Sequence, residues 1–522
     1  MKPLEGPPST RLPSGFTVAL ARGTRILDSA DGSGVSLLGG SPLKLLHLAP
    51  AAKRLLGAGR APLVVRDATG AVLARRLLDA GLADPVPGEL PGAPEPAEVT
   101  VVVPVRDRPA ELRRLLEAVS DTVDGPAAVI VVDDGSRDGD LCREVAGTYG
   151  ATVLRHATSK GPAAARNTGL AAATTEYVAF LDSDVVPSCG WLTPLLAHLA
   201  DPAVGLVAPR IVGLPSDDPG WLTRYEGLRS SLDLGPHAAP VLPRSRVAYV
   251  PSAALVVRRA AITGGFDAAM PVAEDVDLVL RLYEAGWRMR YEPLARVAHE
   301  HRAAAAAWWT RKAFYGTGAA PLAQRHHASV PPAVLAPWTA VVCLLAASSR
   351  PRAVLAAAGV ATFAGLRLRR TLHRLRRPGP AAARLTGLGL LAAAAQGASL
   401  LLRHWWPLTL PALVVSRRAR RVTLAAALIE GTYDWWTHRA DPSVPSEPSP
   451  PAGPGPAPGP GGAAAPGPGG APGLDLPRYL LAHRLDDLGY GAGLWWGAWR
   501  RRTLAPLLPV ITWKRRKGRP RS

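Results

Sequence analysis

Residues 98–300 alternate apolar, β-branched segments with segments of helical periodicity, and this alternation most constrains the fold. Val99 to Val105 and Ala128 to Val132 are continuous β-branched runs, which are typical of buried parallel strands. Between them, Ala110 to Val119 carries apolar residues at helical spacing. Similar strand-like runs follow at 152–154, 177–181, 204–207 and 254–257. The pattern predicts an open α/β sheet that binds its ligands at the carboxyl ends of the strands.

Three acidic motifs lie in this region. They contain the pairs Asp133 and Asp134, Asp182 and Asp184, and Glu274 and Asp275. The first two pairs close predicted strands, and the third opens a predicted helix. A lone carboxylate is costly inside a buried sheet, whereas carboxylates at strand ends can face a cleft and hold a hard divalent cation. The motifs therefore predict an enzyme that acts on a nucleotide diphosphate.

Other polar residues near the predicted cleft are candidates for binding the donor or a metal. They are Pro104, Arg106 and Asp107 after the first strand, Arg166 in a small-residue helix, and His299 and His301 near the end of a strand at 288–297. Arg166 has the chemistry to pair with a phosphate or an acidic ligand residue. The alternatives are structural: helix caps for the carboxylates, helix–sheet packing around Arg166, and surface positions for the histidines.

The formal charge of +20 arises from 61 Lys and Arg against 41 Asp and Glu. The excess lies mainly after residue 340, in Arg clusters beside Trp and Leu/Ala runs, which suits an anionic membrane surface better than nucleic acid. No nucleic-acid-binding motif is present. The three cysteines show neither metal-ligand spacing nor a disulfide framework, which indicates a reducing cytosolic setting. Residues 1–30 carry no signal-peptide pattern.

The chain divides into five predicted parts. These are an α+β module at 1–90, a catalytic domain at 98–325, a helical membrane-associated region at 330–441, a disordered Pro/Gly/Ala linker at 442–473 and an amphipathic aromatic and basic segment at 474–522. In the first part, three short strands are predicted to precede a helix that Ser41-Pro42 opens, and a second helix covers Val72 to Leu82. The last part is predicted either to lie at the membrane interface or to pack on the catalytic domain.

Three uncharged stretches are candidates for membrane spans: 330–349 with 20 residues, 353–366 with 14 and 385–402 with 18. A spanning helix needs about 20 apolar residues, so the first and third are long enough and the second is short. The alternative is an Ala-rich helical domain in water. If the region spans, the Arg cluster at 367–377 is expected on the cytosolic side.

Together, these residues resemble the family 2 glycosyltransferases. Val-Pro-Val-Arg-Asp, Val-Asp-Asp-Gly-Ser, Gly-Pro-Ala-Ala-Ala-Arg-Asn-Thr-Gly, Leu-Asp-Ser-Asp and Glu-Asp-Val-Asp appear in that family's order over about residues 98–300. The resemblance implies a GT-A (Rossmann-like) fold, a nucleotide-sugar donor, a divalent cation (Mg²⁺ or Mn²⁺) and inversion at the anomeric carbon. It implies that Asp133 and Asp134 hold the nucleoside, that Asp182 and Asp184 hold the ribose and metal, and that Asp275 is the base.

A narrower resemblance is to the glycosyltransferases of mycofactocin biosynthesis. It rests on Leu38-Gly39-Gly40-Ser41-Pro42, on Tyr249-Val250-Pro251-Ser252-Ala253-Ala254-Leu255 and on Phe314-Tyr315-Gly316. It implies oligoglucosylation of premycofactocin, a peptide-derived redox cofactor, from UDP-glucose with β-1,4 links, on the cytoplasmic face of the actinobacterial membrane. The N-terminal module is similar in pattern to the PqqD-like winged helices that bind peptide precursors.

Other functions stay open at this stage. The alternative is a membrane-associated glycosyltransferase that acts on a polyprenyl-lipid or cell-wall polysaccharide acceptor. A nucleotidyltransferase would carry a Gly-rich loop with a Lys after the first strand, and residues 106–113 contain no glycine. A catalytically silent scaffold would have lost the motif carboxylates, which are present. The Gln-x-x-Arg-Trp motif of processive synthases is missing, and Trp308 or Trp309 is a candidate for stacking on an acceptor sugar.

Overall fold

The computed structural model describes residues 4–32, 34–57, 61–121, 125–215, 220–300, 304–326, 329–439 and 474–512. The predicted linker at 442–473, the candidate ligand His301 and the last ten residues of the predicted C-terminal segment lie outside the described residues.

The N-terminal part of the chain forms two small antiparallel sheets and two helices. Its strands are β1 (Thr17–Leu20), β2 (Arg25–Asp28), β3 (Val35–Gly39), β4 (Lys44–Leu48), β5 (Leu63–Val64) and β6 (Ala83–Pro85). Its helices are α1 (Pro50–Leu56) and α2 (Ala68–Ala80). The strand orders are β5-β1-β6 and β2-β3-β4. Asp67 caps α2 by accepting a hydrogen bond from the N–H of Gly70 at 2.7 Å, and Gly81 ends the helix in the left-handed conformation.

The helix predicted to start at Ser41 is wrong over its first half. Residues Lys44–Leu48 form β4, which pairs antiparallel with β3, and the helix begins only at Pro50. A short leucine-rich run satisfies the period of a strand as well as that of a helix, and pairing with the fully buried β3 decides between them. The winged-helix likeness and the module boundaries stay predictions.

The centre of the molecule is a mixed sheet of nine strands. They are β7 (Val99–Val105), β8 (Ala128–Asp133), β9 (Thr152–Arg155), β10 (Tyr177–Leu181), β11 (Val185–Pro187), β12 (Val204–Gly213), β13 (Ala239–Pro240), β14 (Ala254–Arg258) and β15 (Arg288–His299). The order is β11-β15-β12-β14-β10-β7-β8-β9, and β13 pairs with β15. Strands β10, β7, β8 and β9 run parallel, as predicted, whereas β14 runs antiparallel to both of its neighbours.

Helices cover both faces of this sheet. They are α3 (Pro109–Ser120), α4 (Gly139–Thr148), α5 (Pro162–Ala172), α6 (Leu192–His198), α7 (Trp221–Arg229) and α8 (Glu274–Glu284). Alternate residues of β7 point to opposite faces: Val101 and Val103 belong to the apolar cluster around α3 and α6, and Val102 belongs to the cluster around α5 and α8. Burial on both faces explains why β7 is apolar throughout, without a polar alternation.

The rest of the described chain is mainly helical. The helices are α9 (Ala305–Thr317), α10 (Ala319–Arg325), α11 (Pro337–Ala347), α12 (Pro351–Thr371), α13 (Pro378–Ser399), α14 (Trp406–Val415), α15 (Arg417–Arg439) and α16 (Leu476–Arg500), and β16 (Val334–Leu335) pairs with β17 (Val510–Ile511). A π-helical turn, Leu400–His404, continues α13. Helix α16 packs against α9, so the C-terminal segment lies on the catalytic part of the chain.

One helix in the described part of the chain is long and apolar enough to cross a membrane, by length and composition. It covers Pro378–His404, which contains the predicted stretch 385–402. The prediction for 330–349 is wrong in length, because the helix there has only 11 residues. At 1.5 Å per residue such a helix is about 16 Å long, roughly half the hydrocarbon thickness.

Candidate active site

A cavity of about 1750 Å³ lies at the carboxyl ends of the central strands. Most of the predicted site residues line it: Pro104, Arg106, Asp134, Arg166, Asp182, Asp184, Glu274, Asp275 and His299. Within the described residues, Asp107 and Asp133 do not belong to this lining. The topology explains the convergence, because β7, β8 and β10 are parallel neighbours and end at the same edge.

Arg166 joins two of the acidic motifs. Its guanidinium donates to Asp182 at 2.6 Å and to Glu274 at 3.0 Å. The side chain is almost fully buried; burial lowers the pKa of Arg166, but the charges of Asp182 and Glu274 outweigh that effect and raise it. A buried guanidinium between two carboxylates fixes their separation, so Arg166 sets the geometry of the cavity floor.

Asp184 and His299 lie close together because β11 and β15 pair with Val185 opposite His299. Asp184 Oδ1 is 3.7 Å from His299 Nε2, and Arg108 donates to Asp184 Oδ2. Asp182 and Asp184, two residues apart on one turn, each offer a carboxylate, and His299 offers an imidazole. Hard and borderline divalent cations bind ligands of these kinds. The side chains of Asp182, Asp184 and His299 thus have the donor chemistry that fits a divalent cation, and Asp184 and His299 lie within 3.7 Å of each other.

Asp134 organises a loop. Its two oxygens accept hydrogen bonds from His156 and the N–H of Lys160, and from the Ser159 hydroxyl and the N–H of Gly161, all at 2.7 to 2.8 Å. Burial alone raises the pKa of Asp134, but these hydrogen bonds lower it below its usual value. The carboxylate thus holds the residues that precede α5 against the end of β8.

Asp133 and Asp107 make hydrogen bonds outside the cavity lining. Asp133 is fully buried, and it accepts hydrogen bonds from the N–H of Ser136 at 2.9 Å and from Arg155 at 2.8 Å. Asp107 accepts one from the N–H of Arg137 at 2.8 Å. These bonds fix the turns that follow β7 and β8.

Asp275 begins α8 beside the cavity. Its oxygens accept hydrogen bonds from the N–H of Ser252 at 3.2 Å and from its neighbour Val276 at 2.8 Å. Burial and then the negative charge of Glu274 raise the pKa of Asp275 to about 6, although both hydrogen bonds and Arg166 act in the opposite direction. A carboxylate with a pKa near neutrality is suited to take a proton from a hydroxyl group.

Several lining residues were not predicted from the sequence. Arg108 pairs with Asp184, and Tyr249, Arg403 and Tyr490 line the side of the cavity that lies away from the sheet. The available signal for Arg108 was a cation directly before Pro109, between the end of β7 and the start of α3. Arg403 and Tyr490 are far along the chain, and no local pattern marks them.

The prediction that Trp308 or Trp309 stacks on a sugar is not supported by their positions. Neither belongs to the cavity lining within the described residues. Trp308 is buried, and its indole N–H donates to Glu226 at 2.8 Å. Trp309 lies against Gly489 of α16. Both side chains serve packing between helices.

The sequence was compared with known proteins. Residues 100–263 match the family described as glycosyl transferase family 2. Pre-mycofactocin glycosyltransferases of two Mycobacterium tuberculosis strains, CDC 1551 and H37Rv, are 47% identical over 506 residues, which cover 96% of this chain and 99% of theirs. The chain belongs to the pre-mycofactocin glycosyltransferase family. It is therefore a glycosyltransferase of family 2, and its mixed sheet is that of a GT-A-like fold.

Similarity to other proteins is confined to parts of the chain or is weak. Polypeptide N-acetylgalactosaminyltransferase 4 of Caenorhabditis elegans is 30% identical over 192 residues, covering 33% of each chain. Among solved structures, the mannosyltransferase PcManGT from Pyrobaculum calidifontis, in complex with GDP-Man and Mn²⁺, is 22% identical. The match covers 67% of this chain and 90% of that one, with a TM-score of 0.35, which is too low to establish a shared fold.

Proposed function

We propose that the protein transfers a sugar from a nucleotide-sugar donor to pre-mycofactocin, with inversion at the anomeric carbon. The observation that carries the proposal is the meeting of Asp182, Asp184 and Asp275 in one cavity, with Arg166 bridging two of the motifs. The acceptor follows from the printed name of relatives that match this chain over nearly its whole length. From the family resemblance, the proposal further specifies glucose as the sugar, UDP as its carrier and a β-1,4 link as the bond formed.

The chain's own residues account for the steps of a single displacement. Asp275 takes the proton from the acceptor hydroxyl while that oxygen attacks the sugar, and no residue of the protein forms a bond to the sugar. The loop held by Asp134, together with Pro104 and Arg106, forms the nucleoside side of the cavity. Asp133 and Asp107 act by fixing the turns that carry these groups.

Asp182, Asp184 and His299 would hold the divalent cation, Mg²⁺ or Mn²⁺. Bound there, the cation would offset the negative charge of the departing diphosphate. Arg108, which pairs with Asp184, supplies a second positive charge at the same place. We expect Asp184→Asn to weaken Mn²⁺ binding, measured by calorimetry, independently of any turnover.

The test is a donor and acceptor screen of the purified full-length chain, with product masses measured. UDP-glucose with pre-mycofactocin and Mg²⁺ or Mn²⁺ should yield a product heavier by one hexose, and EDTA should abolish it. Full activity in EDTA would remove the cation from the mechanism. A product of retained anomeric configuration would contradict the single displacement, and no transfer from any nucleotide sugar would contradict the proposed function itself.

The protein is further proposed to act at a membrane, with its catalytic domain on the cytoplasmic side. Support comes from the apolar helix Pro378–His404, which is only 11% buried in its most apolar window. Three residues of this helix and the turn that continues it, Gln396, Arg403 and His404, also line the cavity. A membrane-bound acceptor such as a polyprenyl lipid is the second candidate that this arrangement favours, and the same acceptor screen includes it.

A further inference from the structure

The cavity extends well beyond the carboxylates that the donor requires. Its volume of about 1750 Å³ exceeds the roughly 300–1000 Å³ of a typical small-molecule pocket. The side away from the sheet is formed by α9, by the turn Leu400–His404 and by α16. These elements follow the strands of the central sheet in the chain, and α16 follows residues 440–473. The far side of the cavity is thus available to a second substrate.

Helix α16 is held in place by close contact of its backbone with α9. A Cβ atom added at Gly493 would lie 1.7 Å from the carbonyl oxygen of Ala313, and one at Gly497 would lie 2.7 Å from that of Thr317. On the facing side, a Cβ at Gly316 would lie 2.1 Å from the carbonyl oxygen of Tyr490. The two helices therefore touch along glycines, and this contact fixes Tyr490 beside the cavity.

The π-helical turn brings a cation to the same place. The guanidinium of Arg403 lies over the ring of Tyr490, 3.9 Å from its centroid. The charges of Asp486 and Asp487 act on Arg403, but in the described part of the chain neither carboxylate lies within 4.0 Å of its guanidinium, and Asp486 pairs instead with Lys312 at 3.4 Å and Arg229 at 3.8 Å. Helix α16 also bonds to the turn itself, since the indole N–H of Trp495 donates to the carbonyl of His404 at 2.6 Å. Single π-helical turns of this kind occur frequently at functional sites.

Further aromatic rings line the cavity, and Tyr249 lies near Arg403 and Tyr490. Tyr249, Tyr283, Phe314 and Tyr315 all line it and are all between 37% and 45% exposed. Tyr249 precedes Ser252, whose N–H holds Asp275. Exposed ring faces bind the flat face of another ring, and a guanidinium donates hydrogen bonds to oxygen atoms at that ring's edge.

We propose that Arg403 and Tyr490, together with Tyr249, form the acceptor subsite, which holds a hydroxyl-bearing ring with that hydroxyl at Asp275. The inference rests on the proposed transferase function and names the part of the same cavity that selects the acceptor. The subsite requires a ring that has a face for stacking and oxygen atoms at its edge. An aromatic aglycone offers such a ring, and so does a sugar already attached to that aglycone. The C-terminal helix is thereby part of the active site, and Arg403 and Tyr490 are specificity-determining residues.

The test compares acceptor KM for Arg403→Ala, Tyr490→Leu, Tyr490→Phe and Tyr249→Leu in the full-length chain. Arg403→Ala, Tyr490→Leu and Tyr249→Leu should raise acceptor KM about tenfold or more, with donor affinity within twofold of wild type. Tyr490→Phe keeps the ring and should restore most of the affinity. Arg500→Ala and Tyr433→Leu, at exposed positions on α16 and α15, serve as matched controls.

Measurements with two acceptor substrates distinguish whether the ring held in the subsite belongs to the aglycone or to an attached sugar. A higher KM for pre-mycofactocin assigns the subsite to the aglycone, and a higher KM only for its monoglycosylated product assigns it to a sugar. Unchanged acceptor KM in all three variants overturns the inference while leaving the proposed function intact. Tyr249 lies on the catalytic domain, so its variant remains informative if changes in the C-terminal helices impair folding. A wild-type protein that transfers no sugar contradicts the proposed function instead.

Discussion

Two carboxylates of one helical turn have opposite electrostatic environments. Burial and Glu274 raise the pKa of Asp275 to about 6. For Asp277, burial acts in the same direction, but hydrogen bonds from His326 and Arg281, at 3.0 and 2.7 Å, lower the pKa to about 2. An ionised carboxylate lowers the free energy of unfolding when folding raises its pKa, and it increases that free energy when folding lowers its pKa.

Substitution by Asn should therefore separate activity from stability at these two positions. Asp275→Asn should lower kcat by about 10²–10⁴-fold, because it removes the base, while the melting temperature stays equal or rises. Asp277→Asn should cost about 2 kcal/mol at pH 7, in proportion to the change in pKa, since the stabilisation by ionised Asp277 is lost only as the pH falls through about 2. Product mass and thermal unfolding measure the two effects. Ordinary turnover by Asp275→Asn would refute its assignment as the base.

The pH dependence of the rate follows from the same carboxylate. Because Asp275 must be ionised to accept a proton, kcat/KM should be flat above its pKa of about 6 and fall tenfold per pH unit below it. The profile should be measured at saturating cation, so that cation binding does not limit the rate. An acid limb near pH 4 would mean that the base is a carboxylate with an ordinary pKa.

At the scale of residues, the sequence predicted the carboxylates that close apolar strands, because a charge at that point needs a cleft or a partner. The sequence did not distinguish the roles of Asp133 and Asp134, which are adjacent, although only Asp134 lines the cavity. Their difference depends on Arg155 and on the loop at 159–161, which tertiary contacts bring to them. The position of Arg403 in the cavity could not be predicted from the sequence, since its place over Tyr490 depends on how distant helices pack.

At the scale of elements, the contact between α9 and α16 depends on glycine. Gly493→Ala should destabilise the protein by about 1–3 kcal/mol, because the added methyl group meets the backbone of Ala313. Gly147→Ala in α4 is the matched control, since nothing lies within 4 Å of its Cβ position, and it should be neutral or stabilising by up to about 1 kcal/mol. Denaturant unfolding compares them. Equal effects of the two substitutions would show that the close helix contact does not contribute to stability.

The elements of the central sheet were predictable because its buried strands are continuous apolar runs rich in β-branched residues, as β7 and β8 illustrate. The error at Lys44–Leu48 arose where an apolar run was too short for its period to distinguish strand from helix. The antiparallel insertion of β14 between β10 and β12 was also not predicted. Strand direction depends on the path of the connections, and side-chain pattern does not report it.

At the scale of the whole molecule, the exposed apolar face of α13 bears on the proposed membrane association. Leu391 is 70% exposed in the middle of this helix. If α13 enters a bilayer, Leu391→Glu should move the protein from the membrane fraction to the soluble fraction, because a charge at that depth is costly. Leu481→Glu, at a 56% exposed position on α16, is the control and should leave the distribution unchanged. Equal fractionation of both variants with wild type would show that α13 does not insert.

The indole N–H of Trp435 donates to the carbonyl of Leu474 at 3.0 Å, and Tyr479 donates to Asp434 at 2.6 Å. The last helix before residues 440–473 and the first residues after them are therefore neighbours in space, joined by their own bonds. A break in the chain between them would leave these contacts between the described residues in place. Two polypeptides, 1–439 and 474–522, are expected to co-purify as a working enzyme when they are produced together, so that chain continuity here is dispensable for catalysis.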